Sequence, residues 1–223
     1  MGLVKKWQVE KSKTMKIENN LVEQKLFSSV LGLFGITFSE FPNVLIATDD
    51  VSEIDNAGTW NLGTDVTKTV GTRYIHFSNS GGSTESAILE ISLPSGVSKL
   101  CIISRGRSTD WQTLQVLDAE EDKYFGVVTS KDSANDIRLV KVIGGASTTL
   151  GSYSQDILNP AWALKCFIYE DGGEKEFRVG DLAILHTTDS DTDMGAPTKI
   201  WIHFAVPAGG IARLYPPLIV LYA

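Results

Sequence analysis

From residue 41 onward the chain is a succession of short apolar runs, and this pattern constrains its fold more than any other feature. The runs are rich in Val, Ile, Leu and aromatic residues, which favour β-strands. Turns containing glycine or proline separate them, and no helix of crossover length lies between them. We therefore expect antiparallel pairing in an all-β sandwich or barrel. The predicted strands are 43–48, 73–77, 87–93, 99–104, 113–117, 124–129, 137–143, 162–169, 176–179, 183–186, 199–206 and 218–222.

The N-terminal part of the chain differs from the rest in charge. Residues 1–30 carry six lysines and three glutamates, a net charge of +3, whereas the remainder carries −10. We expect an N-terminal arm at 1–40 and one β-domain at 41–223. Within the arm, 14–24 fits a hairpin around an Asn-Asn pair, whereas the apolar residues of 22–34 fit helical spacing. We interpret the arm as a hairpin or strand followed by a short helix.

Composition narrows the class of protein. With 43% hydrophobic residues the chain can form a real core, and a net charge of −7 argues against coating of nucleic acid. We find no secretory signal and no apolar run of the ~20 residues that a membrane span needs. We expect a product made without a signal peptide, located in a virion or another extracellular particle. Cys101 and Cys166 lie inside apolar runs, which favours reduced core thiols, and a bridge between them stays open.

The order of features from residue 47 to the C-terminus resembles a known family. The resembling segments are 49–50, 58–60, 87–93, 124–128, 138–145, 160–169, 171–173, 176–179 and 218–222. Together they resemble the concanavalin A-like lectin/glucanase jelly roll, which also includes laminin G-like modules. The resemblance implies an antiparallel β-sandwich of jelly-roll type, here with an N-terminal extension. The superfold hosts enzymes, sugar binders and structural modules, so it implies no single activity.

Catalytic motifs are absent from the sequence. The glycosidases of this superfold carry a strand pattern similar to Glu-x-Asp-x-(x)-Glu, because retaining hydrolysis needs two carboxylates about 5 Å apart. That pattern does not occur: the acidic run 118–122 is expected to be a hairpin loop, and Glu90 is alone in its strand. The sequence also lacks a G-x-S-x-G elbow, a P-loop and a zinc-protease motif. We therefore expect no enzyme activity.

A candidate carbohydrate site follows the strand that contains Cys101. Arg105, Arg107, Asp110 and Trp111 come together there, and an aromatic ring beside planar polar groups suits the stacking and hydroxyl contacts of a sugar. The alternative is that Trp111 begins the next strand and packs inward. Three further tryptophans are expected in the core: Trp60, Trp162 and Trp201.

A second candidate site is a calcium loop. Asp189, Asp191 and Asp193 alternate with small polar residues, and carboxylate oxygens are the ligands that Ca²⁺ prefers. An EF-hand would need glycine at Met194 and glutamate at Ile200, so that motif is excluded. The run is either a calcium-binding loop or an ordinary turn. We expect no other cofactor.

These features favour a non-enzymatic structural or attachment component of a larger assembly, such as a capsid-decorating or tail-associated protein of a virus or phage. The arm would bind other copies of the chain or other particle proteins through Trp7, Phe27 and Phe34. The alternative function is a lectin-like module that binds surface glycans. A glycoside hydrolase is the third and least favoured function.

Overall fold

Two antiparallel β-sheets face each other across an apolar core in the computed structural model of the chain. The structure describes residues 15–16, 30–37, 40–41, 43–47, 50–108, 111–130, 136–154, 164–179, 182–188 and 196–222. Every strand pairing among these residues is antiparallel. The predicted all-β sandwich is therefore confirmed.

Seven strands of the described residues form one sheet, here called the front sheet. They are β3 (Thr59–Leu62), β6 (Glu85–Ser92), β8 (Trp111–Leu117), β9 (Lys123–Ser130), β10 (Asp136–Ile143), β11 (Ala146–Ser154) and β15 (Lys199–Val206). Their spatial order is β11-β10-β9-β8-β15-β6-β3. Because successive side chains of a strand point to opposite faces, Ile200 and Ile202 enter the core whereas Trp201 and His203 face outward.

The other sheet, here called the back sheet, contains ten strands of the described residues. They are β1 (Met15–Lys16), β2 (Asn43–Ala47), β4 (Val66–Val70), β5 (Ile75–Asn79), β7 (Lys99–Ser108), β12 (Leu164–Glu170), β13 (Glu174–Val179), β14 (Leu182–Thr188), β16 (Ile211–Leu214) and β17 (Leu218–Tyr222). The main path is β1-β2-β17-β7-β12-β13-β14, and β16 joins β7 to β5, which pairs with β4. A short helix, α1 (Val51–Asp55), begins after Asp50, whose side chain accepts a hydrogen bond from the Ser52 amide.

The back sheet carries a second apolar cluster on its outer face. Along β7, Leu100 and Ile102 enter the core between the sheets, whereas Cys101 and Ile103 join the outer cluster. Residues from the segment 30–41 complete this cluster: Leu31, Phe34, Ile36 and Phe41. Phe34, which the sequence suggested for assembly, is only 1% exposed and packs within its own chain instead. Its ring is buried there because the alternation of the back sheet leaves an apolar surface to cover.

The two cysteines lie in this second cluster as free thiols. Cys101 and Cys166 are fully buried on neighbouring strands, with 3.3 Å between their sulfur atoms. Burial raises the pKa of the Cys101 thiol well above its ordinary value, and the nearby Cys166 thiol contributes. In the structure both cysteines are therefore reduced and buried, with no disulfide between them.

Several sequence predictions are changed or left open by the structure. Four strands were not predicted, namely β3, β4, β11 and β16. Trp60 packs against the core as expected, but Trp201 lies on the outer face of the front sheet because it alternates with buried isoleucines. Trp162 and most of the predicted hairpin at 14–24 fall outside the described residues. The division of the chain at residue 40 stays a prediction. No helix among the described ranges is long and apolar enough to cross a membrane.

Candidate functional site

The outer face of the front sheet brings together aromatic and polar side chains. On β15, Trp201 lies opposite Glu90 of β6 and Gln115 of β8. Two residues further along β15, His203 lies opposite Thr113 of β8. This register places rings and hydrogen-bonding groups side by side on the outer face of the front sheet, where Thr113 and Gln115 are themselves buried. Rings beside polar groups are the composition of a site for a polar, partly apolar ligand.

Trp201 is held in place by charged neighbours. Its indole N–H donates to Glu90 Oε2 at 2.9 Å. The other carboxylate oxygen of Glu90 lies 3.7 Å from the Lys199 ammonium, which is also paired with Glu121. The hydrogen bond to Glu121 and the charge of Glu90 raise the pKa of Lys199. The ring of Trp201 is thus oriented before any ligand binds, and preorganised groups lose less entropy on binding.

His203 follows Trp201 by two positions on the same face of β15 and contacts a second tryptophan. The His203 ring meets Trp111 edge-to-face, with 4.6 Å between the ring centroids. Its Nε2 atom lies 3.0 Å from the hydroxyl of Ser86 on β6. Burial lowers the pKa of His203 to about 4, so the imidazole is neutral at pH 7. A neutral imidazole offers both a donor and an acceptor to its surroundings.

Two buried polar atoms of β8 lie beside these rings without a hydrogen-bond partner in the part of the chain that the structure describes. They are Thr113 Oγ1 and Gln115 Oε1. Their residues are the register neighbours of His203 and Trp201. A buried polar group without a partner costs about 1–3 kcal/mol. A ligand hydroxyl or a water that reaches either atom removes that cost.

The structure places Arg105 and Trp111, two residues of the sugar site that the sequence suggested, on different sheets. Trp111 is the first residue of β8 in the front sheet, as one of the two alternatives predicted, but it faces outward and is not packed inward. Arg105 lies on β7 of the back sheet, where its guanidinium covers the Tyr215 ring at 4.7 Å. Arg107 also lies on β7, and its backbone is in register with that of Arg213 on β16. Strands β7 and β8 follow each other in the chain but belong to different sheets, so Arg105 and Trp111 are separated.

The remaining predicted site residues lie outside the described residues. These are Asp110, the three calcium candidates Asp189, Asp191 and Asp193, and the arm residues Trp7 and Phe27. Calcium binding and assembly through the arm therefore stay predictions.

The residues that surround Trp201 were not predicted from the sequence as a site. The signal for them was the alternation of β15, in which Lys199, Trp201 and His203 occupy every second position. Their partner Glu90 also lies on an alternating strand, β6, at a position between buried apolar residues. Cross-strand register was needed to bring these positions together, and β15 pairs with β6 and β8, which are distant in the chain, so no hairpin turn sets it.

Among the described residues, one group of side chains converges in the way that metal ligands do. Glu174 and Glu176 of β13 and His186 of β14 have ligand atoms within 4.8 Å of one another. This group belongs to the back sheet and is separate from the front-sheet face.

Comparison with known proteins identifies the fold. No protein-family model matches the chain, and no curated protein sequence matches it. Among solved structures, the Ca²⁺- and Man3GlcNAc-bound form of the VIP36 exoplasmic/lumenal domain is similar, with 9% identity and a TM-score of 0.57 over 81% of this chain and 88% of that one. The legume lectin-like domain from Entamoeba histolytica has 13% identity and a TM-score of 0.50 over 77% of this chain and 92% of that one. Beta-agarase A in complex with oligoagarose has 10% identity and a TM-score of 0.50 over 70% of this chain and 76% of that one. The chain therefore has the concanavalin A-like jelly-roll fold that its sequence predicts.

Proposed function

We propose that this chain is a carbohydrate-binding protein whose site is the outer face of the front sheet around Trp201, His203 and Trp111. The observation that carries the proposal is the row of these three rings on one face, with His203 between the two tryptophans. Sugars present apolar C–H surfaces between their hydroxyl groups, and aromatic rings cover such surfaces at little cost in conformational entropy.

Polar groups on the same face support binding of hydroxyl groups. Gln115 and Thr113 each contribute a buried atom that has no partner among the described residues. Ser86 and the neutral His203 supply a further donor and acceptor pair. Sites of this kind combine apolar walls with a few placed polar groups, which give the site its specificity.

The comparisons support this function over the assembly function that the sequence alone favoured. The VIP36 domain is described with bound Man3GlcNAc and the agarase with oligoagarose. Proteins of the same fold therefore bind saccharides, although fold by itself implies no function. In addition, Phe34, one of the three residues suggested for assembly, is buried within its own chain. Surface glycans are thus the partner that we propose.

We propose binding without hydrolysis. A retaining glycosidase needs one carboxyl group as acid and a second as nucleophile, about 5 Å apart. On the described part of the front face, Glu90 and Glu121 are both engaged by Lys199. Glu90 also accepts the Trp201 indole N–H. Glu90 thus positions Trp201, and both carboxylates position Lys199. These contacts orient side chains for binding.

A glycan array followed by calorimetry with the best ligand tests the proposal. Trp201→Ala and Trp111→Ala each remove a stacking ring, and we expect each to weaken binding at least tenfold, about 1.4 kcal/mol. Tyr222→Ala is the matched control, because Tyr222 is an exposed aromatic residue of the back sheet, 51% exposed. Measurements with EDTA and with millimolar Ca²⁺ show separately whether the acidic loop contributes.

Two results would refute the proposal: an array with no bound glycan, or unchanged affinity in both tryptophan variants. Shortened oligosaccharide products that disappear in Glu90→Gln would instead indicate a glycoside hydrolase.

A further inference from the structure

Three potential metal ligands converge on the outer face of the back sheet. On β13, Glu174 and Glu176 alternate with the buried Lys175 and Phe177, so both glutamates point away from the core. His186 of β14 lies directly opposite Glu176 in the antiparallel register. Its Nε2 atom is 3.5 Å from Glu174 Oε1 and 3.6 Å from Glu176 Oε1.

These distances suit a tetrahedral metal ion. Zn²⁺ binds nitrogen and oxygen ligands at about 2.0–2.2 Å, which places neighbouring ligand atoms of a tetrahedron roughly 3.3–3.6 Å apart. Both distances from His186 fall at this spacing, and all three ligand atoms lie within 4.8 Å of one another. A small movement of the exposed Glu174 side chain completes three sites of a tetrahedron, and a water supplies the fourth.

Arg178 fixes one ligand in the binding orientation. Its Nε donates to Glu176 Oε2 at 2.6 Å, which leaves Glu176 Oε1 directed toward His186. The same guanidinium donates to the backbone carbonyl of Phe34 at 2.8 Å and is thereby anchored itself. The Glu176 side chain is only 10% exposed, so its carboxylate is a buried charge with a defined direction. Hydrogen bonds of this kind behind a ligand orient it and strengthen metal binding.

We propose that Glu174, Glu176 and His186 form a binding site for a divalent transition metal ion. Imidazole together with carboxylates favours Zn²⁺ and its first-row neighbours, whereas Ca²⁺ and Mg²⁺ prefer oxygen ligands alone. Two carboxylates converge here on a single imidazole, and a dication adds to the charge of Arg178 in balancing theirs. The bound ion joins β13 to β14 at the edge of the back sheet and, through Arg178, supports the segment that contains Phe34. The site is independent of the proposed saccharide site.

Calorimetry with ZnCl₂ on the full chain without a histidine tag tests this site. We expect one equivalent of Zn²⁺ to bind, and a rise in the melting temperature that Ca²⁺ does not reproduce. His186→Gln should lower the affinity at least tenfold. His76→Gln is the matched control, because His76 is a partly buried histidine of the same sheet outside this group. The chain contains only one other histidine, His203.

A second set of variants tests the positioning residue. Arg178→Gln should lower Zn²⁺ affinity by about 10–100-fold while the ligands remain, and Arg178→Lys should restore part of it. Co²⁺ in place of Zn²⁺ gives a visible absorption spectrum that reports the donor atoms. We expect a spectrum of nitrogen and oxygen ligands.

Three results would overturn the proposal. The first is no Zn²⁺ binding by the folded protein, in which case the group is only a contact of the His186 ring with the two carboxylates. The second is stoichiometric binding that persists in His186→Gln. The third is a Co²⁺ spectrum with thiolate charge-transfer bands, which would place the metal at Cys101 and Cys166 instead.

Discussion

At the scale of single residues, Lys165 is unusual because its ammonium group lies between the two sheets. The side chain comes from β12, and Nζ donates to Gln112 Oε1 at 2.8 Å and to Thr129 Oγ1 at 3.1 Å, both in the front sheet. The residue is 4% exposed, and burial lowers its pKa to about 8. Two hydrogen bonds to neutral groups replace only part of the hydration that an ammonium group loses.

The lowered pKa of Lys165 predicts how stability depends on pH. In the unfolded chain this amine releases its proton near pH 10.4, and in the folded protein near pH 8. Between these values the unfolded state binds more protons, so the free energy of unfolding increases with pH, by about 3 kcal/mol. Below pH 8 both states are protonated and the gain is absent. We expect Lys165→Met to remove this increase, measured by urea unfolding at pH 7 and pH 10. Equal pH dependence in both proteins would contradict the prediction.

At the scale of elements, the segment 30–41, in its described residues 30–37 and 40–41, is a structural part of the sandwich. It covers the outer apolar cluster of the back sheet, which contains Cys101, Ile103 and Val220. Without that cover, one face of a central strand such as β7 would expose apolar side chains to water. The side chains of β7 in this outer cluster are apolar, and the segment keeps them out of contact with water.

Truncation of Phe34 tests this role. Phe34 is 1% exposed, and Phe34→Ala should lower the free energy of unfolding by about 3–5 kcal/mol, because it removes a buried ring and leaves a cavity. The neighbouring Leu33 is 59% exposed, so Leu33→Ala should change stability by less than about 0.5 kcal/mol. Urea unfolding measures both values. The thiols of Cys101 and Cys166 should also react faster in Phe34→Ala. Similar stability of the two variants would show that the segment does not support the fold.

The position of a strand in its sheet also determines whether the strand could be predicted from the sequence. Strands such as β6 and β15 alternate clearly because one face is buried and the other is in contact with water. The missed strands β4 and β11 are rich in threonine, serine and glycine, and both lie at the edge of a sheet where fewer neighbours select for apolar residues. The sequence of such a polar strand predicts a loop, so the strand is missed.

The candidate sites were harder to predict than the strands, because each depends on how separate strands meet. Arg105 and Trp111 are six positions apart, but the chain passes from the back sheet to the front sheet between them. The opposite case is Glu176 and His186, which are ten positions apart and adjacent in space. Their register includes an irregularity between Phe177 and Arg178, and no sequence pattern reveals such a shift.

At the scale of the whole molecule, the sandwich separates the two proposed sites. The saccharide site lies on the front sheet around Trp201, and the metal site lies on β13 and β14 at an edge of the back sheet. The closely packed core between them contains Phe125, Tyr169 and Phe177. The two sites share no residue, and Arg178 donates to the carbonyl of Phe34, on the side of the back sheet that faces away from the front sheet.

This separation predicts that the two ligands bind independently. Coupling between sites requires that one ligand changes the free energy of the other's binding, and distant sites without shared partners usually show additive energies within about 0.5 kcal/mol. Calorimetric titration with the saccharide should therefore give the same affinity, within about twofold, in the presence of EDTA and of saturating Zn²⁺. Trp201→Ala should weaken saccharide binding at least tenfold and leave Zn²⁺ affinity unchanged, and His186→Gln should lower Zn²⁺ affinity at least tenfold and leave saccharide affinity unchanged. A change of more than tenfold in either affinity on addition of the other ligand would contradict the prediction and show that the two sheets respond as one unit.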